Sequence, residues 1–190
     1  LYISSAYNNI AITYRHQDFY EDAEKEYRNA LSFSTRKADS LIYLNNIAVV
    51  LQEKGDYPGA IEILEEILAQ EDLDPASEAR YLDNLAHTKW LQDPSINVEE
   101  ELLEAMEVRK DLNDQEGLLA SYSHLLEFYA EKDPAKAEGY AKLFLETSRH
   151  FGNSSSELYA LKFLVNISPG EQQWTNDYIK LNDSLNRAQL

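Results

Sequence analysis

The apolar residues of this chain return at short, regular intervals. Small or apolar side chains recur four and then three positions apart, as in Ala23, Tyr27 and Ala30. This i, i+4, i+7 spacing places them on one face of an α-helix, and no segment keeps the strict alternation of a half-buried strand. The pattern therefore predicts an all-α chain. The ten predicted helices cover residues 2–15, 20–35, 38–53, 57–70, 76–91, 97–112, 116–131, 134–150, 155–167 and 171–188.

The chain also repeats itself over longer distances. The block Tyr7-Asn8-Asn9-Ile10-Ala11 returns at 44–48 and 82–86, with weaker copies at 122–126 and 161–165. These blocks are 37, 38, 40 and 39 residues apart, and each is followed by a turn and a second periodic segment. Each repeat is therefore a pair of helices. The five hairpins are predicted at residues 2–35, 38–70, 76–112, 116–150 and 155–188.

Helix-breaking residues fall between the two helices of a repeat. Four prolines lie near the expected start of a second helix, where a missing N–H is tolerated: Pro58, Pro94, Pro134 and Pro169. Three of them are preceded by an aspartate that can cap the helix: Asp56, Asp93 and Asp133. Gly55 and Gly152 are expected to end helices.

The residues at these recurring positions resemble the tetratricopeptide repeat, a helix-turn-helix unit of about 34 residues. The first repeat carries the family pattern at Tyr7, Ile10, Ala11, Tyr14, Asp18, Tyr20, Ala23, Tyr27 and Ala30. The second carries it at Leu44, Ile47, Ala48, Leu51, Gly55, Tyr57, Ala60, Leu64 and Ile67. The resemblance implies a right-handed α-solenoid of about five hairpins, and we expect one domain over residues 1–190 with a continuous core.

Composition argues against an enzyme and against a nucleic-acid-binding protein. The chain has 17 Lys and Arg against 34 Asp and Glu, a net charge of −17, so phosphate backbones and anionic membranes would repel it. It has no cysteine, no glycine-rich phosphate loop and no pair of its four histidines at metal-ligand spacing. We therefore predict no catalytic residue, no metal and no cofactor.

The family resemblance instead implies a partner that is a protein or peptide, bound in the groove lined by the first helix of each hairpin. The negative charge favours a neutral or basic partner. The candidate groove residues are Asn8, Ile12, Arg15, Asn45, Val49, Gln52, Arg80, Asp83, His87, Trp90, Ser123, Glu127, Lys162 and Asn166.

Two interpretations of the asparagines remain open at this point. Asn8 and Asn45 occupy matching positions, and a side-chain amide can both donate to and accept from a bound peptide backbone. Alternatively, the asparagines that recur one residue later, Asn9, Asn46 and Asn84, hydrogen-bond neighbouring helices.

Residues 105–114 and 178–187 are similar to segments of bacterial regulators that hold a tetratricopeptide sensor region outside the membrane. That resemblance implies a sensor on the extracytoplasmic side, followed by a spanning helix and a histidine kinase or helix-turn-helix output domain. The alternative is a soluble, cytoplasmic adaptor or scaffold without a membrane link. Because the chain begins at Leu1 and no apolar run reaches about 18 residues, we expect a fragment of a longer protein that does not itself enter a membrane.

The last predicted helix carries an apolar stripe formed by Trp174, Tyr178, Leu181, Leu185 and Ala188. No glycine or proline follows before Leu190. We expect this helix to continue in a longer protein.

Overall fold

The computed structural model describes residues 2–188, which form ten α-helices and no strand. The helices are α1 Tyr2–His16, α2 Tyr20–Ser32, α3 Lys37–Glu53, α4 Tyr57–Leu68, α5 Pro75–Gln92, α6 Glu99–Asp111, α7 Gln115–Tyr129, α8 Pro134–Phe151, α9 Ser154–Ile167 and α10 Gln172–Ala188. The predicted all-α fold is confirmed, and every predicted helix end lies within three residues of the observed one.

Four of the residues predicted to start or end helices do so in the expected way. The carboxylates of Asp56 and Asp133 each accept a hydrogen bond at 3.1 Å from a backbone N–H of the following helix. Gly55 and Gly152 follow helix ends with φ angles of 82° and 65°, in the left-handed region that glycine enters without strain. These four residues therefore separate the helices as predicted.

The prediction for Asp93 was wrong. Asp93 follows the last residue of α5, and α6 begins only at Glu99. The Asp93 carboxylate accepts from the N–H of Ser95 at 3.0 Å and from its hydroxyl at 2.7 Å, which closes a local turn instead of capping the start of a helix. A cap that was not predicted lies at Asp74, which accepts from the N–H of Ser77 at 3.0 Å just before α5.

The helices group into two compact units, Leu1–Val98 and Glu99–Leu190. In the N-terminal unit, helices α1 to α5 pack on one another in sequence order, and α3 also contacts α5. The core of this unit holds fully buried Ala23, Tyr27, Ile47 and Ala48. Alanine at these positions lets helices approach closely, and the larger side chains fill the space between them.

In the C-terminal unit, helices α6 to α10 also pack on one another in sequence order. Leu125, Ala137, Ala141 and Leu164 are fully buried there. Inside this unit the guanidinium of Arg109 donates to the Ser121 hydroxyl at 2.6 Å, so a buried cation is hydrogen-bonded as its desolvation requires. The stacking of helical hairpins is thus found in each unit, and the single domain over residues 1–190 stays a prediction.

The stripe on the last helix is only partly covered. Trp174, Tyr178, Leu181 and Leu185 are all half-buried, while the side chain of Ala188 and residue Leu190 lie outside the described residues. No helix among residues 2–188 combines the length and the apolar character needed to cross a bilayer.

Two glycines should respond in opposite directions to the same substitution. Gly55→Ala should lower the free energy of unfolding by about 1 kcal/mol, because an alanine is strained at φ +82°. Gly139→Ala, inside α8 with nothing within 4 Å of the added methyl group, should raise it by up to about 1 kcal/mol. Urea unfolding followed by circular dichroism measures both, and effects of the same sign would contradict the backbone argument.

The Asp74 cap should contribute stability that depends on pH. Hydrogen bonds from the hydroxyl and the backbone N–H of Ser77 lower the pKa of Asp74 below its ordinary value of 3.8. A carboxylate whose pKa is lower in the folded state stabilises the fold above the unfolded-state pKa, and this contribution is lost as the pH falls through the folded-state pKa.

Asp74→Ala should therefore cost about 1 kcal/mol at neutral pH and progressively less as the pH falls from about 5 to about 2. Asp74→Asn is the control, because it keeps a neutral cap. The contribution of the asparagine cap to stability should not decrease as the pH falls. Urea unfolding across this pH range tests the prediction, and a constant cost for Asp74→Ala would contradict it.

Candidate functional site

Side-chain hydrogen bonds join the first helices of successive repeats in the N-terminal unit. Asn46 on α3 donates from Nδ2 to Oδ1 of Asn8 on α1 at 3.1 Å. Asn84 on α5 donates in the same way to Asn45 on α3 at 2.8 Å. These two bonds, which we call the amide rungs, occupy equivalent positions in the repeat. The interpretation that Asn46 and Asn84 bond neighbouring helices is therefore confirmed.

A second row of polar contacts lies about two helical turns further along the same helices. Nε of Arg15 is 3.0 Å from both carboxylate oxygens of Glu53. The hydroxyl of Thr88 is 2.6 Å from Oε1 of Gln52. Burial acts to lower the pKa of Arg15, but the hydrogen bond and charge of Glu53 outweigh it and raise that pKa. Arg15 therefore stays charged and holds α1 against α3.

Apolar side chains lie between these two polar rows. Asn8, Ile12 and Arg15 follow the i, i+4, i+7 spacing of one face of α1, and Asn45, Val49 and Gln52 repeat it on α3. Ile12 and Val49 are half-buried, so part of each side chain reaches the surface. We call Ile12 and Val49, with the hydrogen-bonded residues that flank them, the framed strip.

The structure divides the candidate residues of the N-terminal unit into two groups. Arg80 is exposed, and Asn8, Ile12, Arg15, Val49, Gln52 and Trp90 are half-buried. Asn45, Asp83 and His87 are only 5%, 0% and 5% exposed. Burial places these last three between helices, out of reach of a ligand while the helices keep their places. His87 also stacks on Trp90, with the ring centroids 5.9 Å apart.

In the C-terminal unit, the candidate residues lie on α7 and α9. Ser123 and Glu127 are half-buried, and Lys162 and Asn166 are exposed. Oη of Tyr159 on α9 donates to the Glu127 carboxylate on α7 at 2.6 Å. Burial and this hydrogen bond raise the pKa of Tyr159. Glu127 thus connects two first helices, as the amide rungs do in the N-terminal unit.

Three of the connecting residues were not predicted from the sequence: Glu53, Thr88 and Tyr159. For Glu53 the sequence contained a usable signal, because Arg15 and Glu53 are as far apart as Asn8 and Asn46. In both pairs, the residue on α1 lies opposite the residue that follows its counterpart on α3. Asn46 follows Asn45, the counterpart of Asn8, and Glu53 follows Gln52, the counterpart of Arg15. Opposite charges at that offset predict an ion pair.

Two surface cavities were likewise not predicted. One of about 410 Å³ lies in the N-terminal unit and is lined by Lys37, Ala38, Leu41, Ile42, Asp72, Leu73, Asp74, Ser77 and Tyr81. One of about 240 Å³ lies in the C-terminal unit and is lined by Arg149, Glu157, Asp177, Lys180, Leu181 and Ser184. Across residues 2–188, no three His, Asp or Glu side chains come together as a metal site.

Comparison with known proteins identifies the repeat. Residues 2–70 match the family model of the tetratricopeptide repeat, which confirms the resemblance read from the sequence. No curated protein matches the chain. Domains built from this repeat are protein-interaction modules without a catalytic function.

Solved structures share the fold at low sequence identity. A STAND signal-transduction ATPase with a tetratricopeptide repeat sensor, from Pyrococcus horikoshii, gives a TM-score of 0.74 at 19% identity over 96% of this chain. The chain spans only 29% of that protein. TPR-like repeats of a candidate kinesin light chain from Podosopora anserina give 0.61 at 15% identity, over 97% of this chain and 95% of that one. PilF of Pseudomonas aeruginosa gives 0.52 at 20% identity, over 93% and 82%.

The amide rungs should contribute measurably to stability. Asn84→Ala removes the donor to the buried Oδ1 of Asn45 and should cost about 1–3 kcal/mol, since a buried acceptor loses its partner. Asn9→Ala makes the same change at an exposed position of α1 and should stay within about 0.5 kcal/mol. Equal effects of the two variants on urea unfolding would show that the Asn45–Asn84 bond contributes nothing.

Proposed function

We propose that this tetratricopeptide-repeat protein binds a peptide segment of a partner on the framed strip of its N-terminal unit. The observation that supports this is the arrangement around Ile12 and Val49. Both side chains are partly accessible, and each is flanked along its helix by residues already hydrogen-bonded to a neighbouring helix. Binding surfaces commonly combine an apolar centre with such a polar rim.

The flanking contacts also reduce the cost of binding. A side chain that is ordered before the partner arrives loses little conformational freedom when it binds. Arg15 and Gln52 are held by Glu53 and Thr88, so their remaining polar atoms are already oriented. In the complex, an apolar side chain of the peptide contacts Ile12 and Val49, and its backbone contacts the flanking polar groups.

The charge of the chain favours a neutral or basic peptide. A net charge of −17 repels acidic segments and phosphate backbones and attracts cationic ones at moderate salt. Exposed Arg80 on α5 can donate hydrogen bonds to an acidic group locally without changing that balance. Nucleic acid is therefore not proposed as a partner.

The proposed biological setting is the sensor region of a bacterial signalling protein. The fold shared with the STAND ATPase, whose own repeats are described as a sensor, supports the sensor role. The bacterial setting rests on the resemblance of residues 105–114 and 178–187 to bacterial regulators. In such an arrangement, peptide binding changes the state of an output domain on the same polypeptide. The binding step needs only the residues described above.

A soluble adaptor is the second candidate. The kinesin light chain repeats match this chain over 95% of their own length, so a repeat array of this size exists as a solved structure without an output domain. The sequence encoded on either side of this chain distinguishes the two candidates. An output domain on the same polypeptide supports the sensor, and its absence supports the adaptor.

Binding is tested with peptides selected from a random library displayed on phage, using fluorescence anisotropy to measure affinity. The double variant Ile12→Thr, Val49→Thr keeps both side chains β-branched but makes the strip polar and smaller, and it should weaken binding about tenfold. Ile61→Thr, Ile63→Thr is the matched control, because both residues are half-buried on α4, a second helix. The control should change affinity less than about twofold.

Two results would contradict the proposal. One is the absence of any enriched peptide. The other is equal weakening by both double variants, which would place the binding surface away from the framed strip.

A further inference from the structure

The first helix exposes a face that the corresponding helices of the next two repeats bury. Ile10 on α1 is 45% exposed. Its counterparts, Ile47 on α3 and Leu85 on α5, are 0% and 8% exposed. The three residues hold the same place in the repeated block, so the difference comes from what covers each helix and not from its sequence pattern.

The residues one turn to either side of Ile10 show the same difference. Ala6 and Thr13 are exposed, whereas their counterparts on α3, Tyr43 and Val50, are buried. On α3 this face is covered by the preceding hairpin, since α2 packs against α3. The internal repeat therefore shows which kind of element covers this face: a helical hairpin that stacks from the N-terminal side.

A polar group on the same face points to the same kind of partner. Asn46 and Asn84 each donate a side-chain hydrogen bond to an asparagine of the preceding hairpin, at 3.1 and 2.8 Å. Asn9 is their counterpart on α1 and is exposed. A hairpin stacked on α1 in the way that the α1–α2 hairpin is stacked on α3 would place a side chain opposite the Asn9 amide.

We propose that the outer face of α1, formed by Ile3, Ala6, Asn9, Ile10 and Thr13, docks a partner that is a helical hairpin of the same repeat type. The first helix of this partner carries asparagine at the position of Asn8 and accepts a hydrogen bond from Asn9. Its second helix covers Ile10 with small and apolar side chains, as α2 covers α3. Ile3, 58% exposed, extends the apolar contact toward the start of α1.

A second copy of this chain fits that description poorly. Docked with its last hairpin against α1, it would present Lys162, the fifth-repeat counterpart of Asn8. An ammonium group only donates hydrogen bonds, and so does the Nδ2 of Asn9. Two chains of charge −17 also repel each other. An asparagine on the hairpin of a partner can accept from Nδ2 of Asn9, as Asn8 accepts from Asn46, whereas Lys162 cannot.

The test adds a hairpin that already packs against a first helix of this chain, since α2 of the first hairpin packs on α3. A copy of residues 1–37, placed directly before Leu1 of the full chain, keeps the 37-residue step from Tyr7 to Leu44 and brings its own Asn8 opposite the original Asn9. If the face accepts such a hairpin, hydrogen exchange of the original α1 amides should slow by about tenfold or more relative to the single-copy chain.

Two variants at the original α1 check that the intended contacts form. Asn9→Asp replaces the donating amide with a second acceptor, and Ile10→Glu introduces a charge into the buried contact. In the tandem chain each should reverse most of the slowing. In the single-copy chain, where both residues are exposed, each should change exchange less than about twofold, which makes the same variants their own controls.

Two outcomes would overturn the proposal. In the first, the added hairpin exchanges as an unfolded segment while α1 exchanges as it does in the single-copy chain. In the second, sedimentation equilibrium shows the single-copy chain to be a dimer that Ile10→Glu dissociates, which would make a second copy the occupant. Neither outcome contradicts peptide binding on the framed strip, because that strip lies on another face of α1.

Discussion

The register between successive repeats of the N-terminal unit depends on the amide rungs. Apolar contacts tolerate a range of offsets between two helices, because hydrophobic burial has no preferred direction. A hydrogen bond between two side-chain amides forms at only one offset, and the buried Oδ1 of Asn45 makes any other offset unfavourable. The spacing of Ile12 and Val49, and of every contact that flanks them, follows from this constraint.

The same constraint explains why a module without chemistry of its own can still be specific. Arg15 and Gln52 are held in place by neighbours in the repeat array, so their orientation is set before any partner arrives. Their usefulness therefore comes from packing between helices and not from an unusual pKa or a metal. A substitution at Asn46 or Asn84 would therefore alter the proposed recognition without changing a residue of the framed strip.

The sequence predicted the helices well because each repeat shows its periodicity several times. It was less successful where two local arrangements compete for the same residues. Asp133-Pro134 and Asp93-Pro94 look alike, but only Asp133 caps the start of a helix. Ser95 offers both an N–H and a hydroxyl to Asp93, and these local bonds close a turn before α6 can begin.

Burial at the candidate site was the least predictable property. Position within the repeat tells which face a residue lies on, but not how much of that face is covered. Asn8 and Asn45 share a position, yet Asn8 is half-buried, whereas Asn45 is buried on α3, a helix with neighbours before and after it.

Each of the first two hairpins carries two asparagines side by side, at Asn8-Asn9 and Asn45-Asn46. Asn8 and Asn45 accept in the amide rungs, Asn46 donates, and Asn9 is the exposed counterpart of Asn46. A hairpin with both asparagines can accept a hydrogen bond from the next hairpin and donate one to the preceding hairpin. If its gene segment is duplicated, the two copies can therefore form this hydrogen bond with each other. The fourth and fifth repeats, with Ser123-His124 and Lys162-Phe163 at those positions, lack this property. An array of this kind can lengthen by duplication from its N-terminal repeats, whereas growth from its C-terminal repeats would need new junction chemistry.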